Sequence, residues 1–275
     1  MAEDGTTPEG YMGMLWDVGL HVSPDEDIGD YAIVWRDEFG EKGRFAAEYL
    51  DEARIVSDFR GNTTWTGLYK GTRVAVAATN WGCAAASVAV EELANCGVQT
   101  FIRFGTIGGL QTEVALGDLI IAEGCVRADG TSVEYLPLEY PAVFNFEVTR
   151  ALVDAADALG ESHHLGIIRT HDAYFVETNE SIGRPDGGAG SRAFSHKKRR
   201  ESRIAPFADA GVLGVDNEGA GTVVPARARG CRSGGFYCCT GNMIRDDEIF
   251  PDEAAPRVKS LFRVAFDAIA ILEHA

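Results

Sequence analysis

The order of apolar runs between residues 73 and 106 constrains this chain more than any other feature. "RVAVAAT" (73–79) reads as a strand, "CAAASVAVEELANCG" (83–97) as a helix closing on Gly97, and "TFIRFGT" (100–106) as a second strand. Strand, helix and strand in that order form a βαβ unit, whose right-handed crossover leaves the two strands parallel. In such sheets ligands bind beyond the carboxyl ends of the strands. That expectation puts two loops on the ligand side, "TNWGCAA" (79–85) and "GTIGG" (105–109). In the second, the apolar strand is expected to break at its glycines before the chain becomes apolar again at Leu119, Ile120 and Ile121. Gly105 and Gly108 would let backbone N–H groups approach an anion or a sugar.

The flanking sequence extends this α/β pattern. Strands are expected over 30–35, 117–130, 164–175 and 235–244, with a hairpin over 63–79 that turns at Lys70-Gly71. Helical spacing occurs over 41–53, over 144–160 (Val148, Leu152, Ala155, Ala156, Leu159) and over 255–275 (Val258, Leu261, Phe262, Phe266, Ile269, Leu272). Residues 176–203 are Gly-rich and then basic, without a clean period. That is long for a structureless connection, so the segment is expected to be functional or mobile. No internal repeat is visible. The 275 residues, 45% of them hydrophobic, can bury one large core, and a single domain is expected over 1–275, with an N-terminal segment over 1–28 and an extended loop over 176–203.

Composition then narrows the partners. A formal charge of −17 opposes encounter with nucleic acid or an anionic membrane, although a few Arg residues can still make a local pocket for an anionic small molecule. The same acidity also fits a salt-adapted or merely soluble surface. The six cysteines form no C-x-x-C pair and have no His at metal-ligand spacing, so they read as reduced thiols. "MAEDGTTPEG" lacks the basic-then-apolar pattern of a signal peptide, and no apolar run approaches the roughly 20 residues of a membrane helix. A cytoplasmic location without membrane contact is expected.

"RFGTIGGLQ" (103–111), "LGDLIIAEGCVRADGTS" (116–132) and "PLEYPAV" (137–143) together resemble the uridine phosphorylases within the wider nucleoside phosphorylase family. The resemblance runs from about residue 14 to the last helix and is strongest between 86 and 175. It implies a single-domain, three-layer α/β fold with a central mixed sheet flanked by helices, and dimers assembled into hexamers. It also implies phosphorolysis of a uridine-like nucleoside to free base and pentose 1-phosphate, with inorganic phosphate as co-substrate and no cofactor or metal. By the same resemblance Arg103, Thr106 and Gly105 belong to the phosphate site, with Thr106 also near the ribose. Glu218 in "GVDNEGAG" (214–221) matches the ribose-binding carboxylate, and Asp216 stands at an earlier Glu position. Asn217 replaces the Met that lies under the sugar. Arg60 matches an Arg that reaches the neighbouring subunit's phosphate site. Each has a plainer reading: a buried ion pair for Arg103, a self-bonded strand-end hydroxyl for Thr106, a solvated charge for Glu218, a surface side chain for Arg60.

Several positions depart from the family's pattern. In "VWRDEFGEKGR" (34–44) Arg36 takes the place of a Gly, and Gly40 takes the place of a phosphate-binding Arg, while Trp35, Asp37 and Glu38 are poor cradles for a dianion. Arg36 or Arg44 would have to compensate. "TNWGCAA" keeps only Gly82 of the second glycine pattern, and Trp81 either closes over the site or packs on the sheet. Asp17 replaces the His that contacts the sugar's 5′ end. For the base, one register matches Arg184 to the family's Arg, puts Ile182 in the place of a Gln, and makes Tyr174 the stacking aromatic. The other puts Thr178 and Glu180 there, and both lack the Gln that reads an imide edge. The basic run 192–203 is a solvated loop, a lid or a contact for a substrate phosphate. Three functions stay open at this point: a nucleoside phosphorylase, an N-ribohydrolase in which Asp37 or Glu38 positions water, and a catalytically silent subunit.

Overall fold

The computed structural model describes residues 18–174, 196–245, 247–249 and 251–274. Its parallel centre is β1 (Tyr31–Arg36), flanked by β4 (Thr72–Thr79) and β5 (Thr100–Gly109). The crossover helix α2 (Cys83–Asn95) therefore joins two parallel strands that are next-nearest neighbours, with β1 inserted between them. Ala32, Ile33 and Val34 are fully buried, which is what an unbroken apolar run requires when helices cover both sheet faces.

Beyond β4 the sheet continues through β3 (Asn62–Tyr69) to the edge strand β2 (Asp51–Phe59). Arg60-Gly61 and Lys70-Gly71 make the two turns, with φ of 50° and 81° in the first and 50° and 88° in the second. Positive φ at both central residues suits the right-handed twist of the paired strands. The helix expected over 41–53 shrinks to one turn, α1 (Arg44–Ala47). The backbone of β3 captures the rest, pairing Asp51 with Leu68 and Arg54 with Thr66, while Phe45, Tyr49 and Leu50 still reach the core from the turn and bend.

On the other side, β5 pairs in parallel with β10 (Arg232–Asn242) from Thr100 to Gly109. The glycine run thus stays inside the strand instead of breaking it. These glycines allow close packing: a Cβ on Gly109 would lie 2.9 Å from Asn242 Nδ2 and 3.2 Å from Cys239 Sγ. β10 then pairs with β6 (Leu119–Ala128), β6 with β8 (His163–His171), β8 with β9 (Gly214–Asp216), and β9 returns to β5, so five strands close into a ring. β7 (Ala142–Val143) and β11 (Asp247–Glu248) extend β6 and β10.

Helices α4 (Phe146–Leu159) and α7 (Pro251–Glu273) cover one face, burying Val148, Leu152, Phe262 and Phe266 against Ile33, Phe104 and Phe236. Phe104 and Phe236 stack with ring centroids 4.4 Å apart. The opposite side carries α2 and α6 (Gly219–Ala228), an element absent from the sequence reading because two glycines and Pro225 mask its helical pattern. Short α3 (Ser132–Tyr135) precedes β7, and α5 (His196–Asp209) takes in part of the basic run. All six cysteines are free. Among the described residues no helix is long and apolar enough to cross a membrane.

The packing of α2 on α6 has a testable limit. A Cβ on Gly221 would lie 2.5 Å from Cys83 Cα and 2.7 Å from its carbonyl oxygen, and backbone cannot swing aside as a side chain can. Gly221→Ala is expected to destabilise the protein by about 1–3 kcal/mol in chemical denaturation.

Candidate active site

A cavity of about 310 Å³ opens where the carboxyl ends of β1, β8 and β9 meet the glycine segment of β5. Arg36, Glu38 and Phe39 enter from the end of β1, Thr106 to Gly108 from β5, and His171 and Tyr174 from the end of β8. Asp216, Asn217 and Glu218 enter between β9 and α6, with Thr240, Gly241 and Met243 opposite.

Glu218 is only 2% exposed, yet it lines this cavity. Its Oε2 accepts from Arg103 Nη2 at 2.7 Å, and its Oε1 accepts the Gly82 N–H at 2.9 Å, just before the first turn of α2. Arg103 lies beneath, fully buried. Its Nη1 donates to the carbonyls of Phe104 at 2.6 Å and Val34 at 3.3 Å. Burial by itself pulls the guanidinium's pKa down, but the charge of Glu218, joined by Tyr237, Asp216 and Glu38, outweighs it and leaves the pKa raised. Arg103 is thus the buried ion-pair partner that sets Glu218, and it does not itself line the cavity. Gly105 stays off the lining too: a Cβ there would meet Arg103 Nη2 at 2.5 Å, so its glycine makes room for the guanidinium.

Asp216 is buried next to this pair. Its Oδ1 accepts from Thr170 Oγ1 at 2.6 Å, and its Oδ2 accepts from the N–H groups of Glu218 and Gly219 at 3.1 and 2.7 Å, so it fixes the start of α6. Desolvation, then the Glu218 charge, push its pKa up to about 6, against the pull of Arg103 and Thr170. Between roughly pH 4 and 6 the folded protein then holds a proton that the unfolded chain, with an Asp near 3.9, has released. The stability that Asp216 contributes is therefore complete below about pH 4 and lost as pH rises through 6. Denaturation of wild type and Asp216→Asn at several pH values isolates this share: the wild-type advantage should shrink between pH 4 and pH 7, and a constant difference would reject it.

Thr106 has a different partner from the backbone expected of a strand-end hydroxyl. Its Oγ1 lies 2.6 Å from both oxygens of Glu38, and its N–H donates to Glu38 Oε1 at 3.2 Å. Arg36 Nη2 pairs with the same oxygen at 2.7 Å, and its guanidinium lies over Trp81, 4.0 Å from the ring centroid. Trp81 meets Tyr174 edge-on at 5.0 Å, so an aromatic wall half open to solvent borders the cavity. Asn217 turns its amide to the His171 carbonyl. The thioether at the cavity comes from Met243, after β10, a residue that no motif singles out.

The remaining candidates separate. Arg60 sits in the β2–β3 turn, donating to the Val18 carbonyl at 3.1 Å and lying outside the cavity. Arg44 is exposed and pairs with Glu41 at 3.3 Å. Asp17, Thr178, Glu180, Ile182 and Arg184 lie outside the described residues, as does the first part of the 192–203 run. His171, Phe39 and Met243 were missed because their places depend on chain segments far apart in sequence.

The arrangement defines a class: an α/β protein with a buried carboxylate and a set of oxyanion donors facing one cavity at the strand ends. The family model for the phosphorylase superfamily matches residues 30–269, and the chain belongs to that superfamily. It is 31% identical over 263 residues to a guanosine phosphorylase of Halorubrum lacusprofundi, covering 92% of this chain and 98% of that protein. It is 36% identical over 221 residues to a uridine phosphorylase of Thermococcus kodakarensis (80% and 76% covered), and 30% identical over 255 residues to one of Treponema pallidum (93% of each).

Proposed function

We propose that this protein is a nucleoside phosphorylase, a pentosyltransferase that moves the sugar of a nucleoside from its base to inorganic phosphate. The observation that carries this reading is Glu218: a carboxylate among glycines and small residues, held by Arg103 and the Gly82 N–H, that still opens to the cavity. A carboxylate so fixed can accept from two vicinal hydroxyls of a ribose. As the bond to the base breaks, the sugar gains oxocarbenium character; the phosphate oxygen bonds to the anomeric carbon and the base leaves with the bonding pair. Thr106 supplies an amide and a hydroxyl donor for phosphate, and Tyr174 with Trp81 supplies an aromatic wall for the base.

The proposed substrate is uridine-like, following the uridine phosphorylases among the relatives. Guanosine is the competing substrate, following the relative that spans nearly the whole chain. No cofactor is required in this reading. The N-ribohydrolase and the silent subunit gain no support from relatives named as phosphorylases. The proposal includes a one-domain chain, a cytoplasmic location and dimer-based hexamers; exposed Leu138, Tyr140, Val143 and Phe146, close in sequence, support association. Arg60, on the β2–β3 turn outside its own cavity, is the residue proposed to serve a neighbour's.

The test is cleavage of uridine and guanosine by the purified protein with and without inorganic phosphate, detecting free base and sugar 1-phosphate. Phosphate-dependent formation of sugar 1-phosphate is expected. Cleavage indifferent to phosphate would reject the reading, and so would no cleavage of either nucleoside.

A further inference from the structure

Where the phosphorylase reading needs an empty set of oxyanion donors, the chain supplies a carboxylate of its own. Both Glu38 oxygens lie 2.6 Å from Thr106 Oγ1, Oε1 also accepts the Thr106 N–H at 3.2 Å, and Arg36 Nη2 lies 2.7 Å from Oε1. A hydroxyl, an amide and a guanidinium converging on one group of oxygens are the donors that bind an oxyanion. Arg36 is also stacked on Trp81 at 4.0 Å, so its position does not depend on Glu38 alone. Arg103 does not reach these oxygens: it lies off the cavity lining, with its terminal nitrogens on Glu218, Phe104 and Val34.

We propose that Glu38 is the specificity-determining group of the phosphate site: it occupies the donors as an internal anion, pairs with Arg36, and gives them up to a doubly charged oxyanion but not to a singly charged one. Arg36 is then the cation that receives phosphate. This rests on the phosphorylase reading. The selection follows from charge. Exchanging one carboxylate for a monoanion leaves the electrostatic attraction to Arg36 unchanged and gains nothing, whereas exchanging it for a phosphate dianion adds a charge at the same distance. The Glu38 and Arg36 side chains are 11% and 18% exposed, so the released carboxylate has water within reach. The nearby Glu218 does not compete for Arg36, since its own oxygens face Arg103 and Gly82.

The experiment is calorimetric titration of the whole protein with inorganic phosphate and, separately, with acetate. Glu38→Gln keeps the side chain's shape and removes its charge; Glu38→Ala is the second variant. Both are expected to bind phosphate about 10-fold tighter than wild type, on the scale of one charge-assisted hydrogen bond, and to bind acetate, which wild type should not. Arg36→Gln should bind phosphate at least about 10-fold more weakly. Phosphate affinity unchanged or weakened in both Glu38 variants overturns the proposal, as does unchanged affinity in Arg36→Gln or acetate binding by wild type. Sugar 1-phosphate formation measured on the same preparations separates the two readings. Turnover by wild type with no gain of phosphate affinity in the Glu38 variants removes this inference alone. The expected binding pattern with no turnover removes the reaction and leaves the oxyanion site.

Discussion

Arg103→Met is expected to destabilise the protein by roughly 3–5 kcal/mol and to remove activity with it. The substitution leaves the Glu218 carboxylate 2% exposed with only the Gly82 N–H bound to it, and frees the carbonyls of Phe104 and Val34 inside the sheet. A buried charge without its partner is among the few single changes that reach this size. The pair itself contributes much less, because desolvating two ions offsets most of their attraction. The double variant Arg103→Met/Glu218→Met should therefore regain a large part of the loss while staying inactive. Chemical denaturation of the single and double variants checks both statements. A single variant within 1 kcal/mol of wild type, or a double variant less stable than either single one, would show that the pair is not coupled as the 2.7 Å contact implies.

Glu218→Gln carries the second large effect: it takes the counter-charge from buried Arg103, which costs stability, and it also falls on catalysis. The amide keeps the shape and can still accept from Gly82, but it presents one acceptor oxygen where the carboxylate presents two. If Glu218 holds both ribose hydroxyls, losing charge-assisted bonds of about 1.5–3 kcal/mol should lower kcat/KM for a ribonucleoside roughly 100-fold. The 2′-deoxynucleoside forms one of those bonds fewer, so its loss should be smaller. Steady-state kinetics with uridine and 2′-deoxyuridine gives the comparison, and equal losses would remove the 2′-hydroxyl from the contact. Stability serves as the control: a kcat/KM loss tracking the unfolded fraction would mark the effect as structural.

The Glu218→Gln comparison follows from the resemblance alone, whereas the paired Arg103 and Glu218 variants could not have been designed without the structure. "RFGTIGG" marked the important stretch: Thr106 and Glu218 line one cavity, and Arg103 lies buried beneath Glu218. What the stretch does not show is which groups each of them bonds. Arg103 points inward because Gly105 leaves it space and three acceptors wait there, which no local pattern reveals. Glu38 looked like an obstacle to anion binding and turned out to hold the donors an anion would use.

The sequence by itself determined the parallel βαβ core, the Lys70-Gly71 hairpin, the two covering helices (read over 144–160 and 255–275, found over 146–159 and 251–273), and the family. Those features follow from periodicity, turn chemistry and a contiguous motif, all written within short stretches of chain. Only the tertiary structure decided that β1 stands between β4 and β5, that residues 51–59 pair as a strand, and that the glycines of β5 continue its ladder. It also joined Glu38 to Thr106 and Arg103 to Glu218, across 68 and 115 positions of sequence. The physical reason is common to all of these: hydrogen bonding and charge pairing act through space, and the partner that satisfies a buried group is fixed only when the sheet has closed around it.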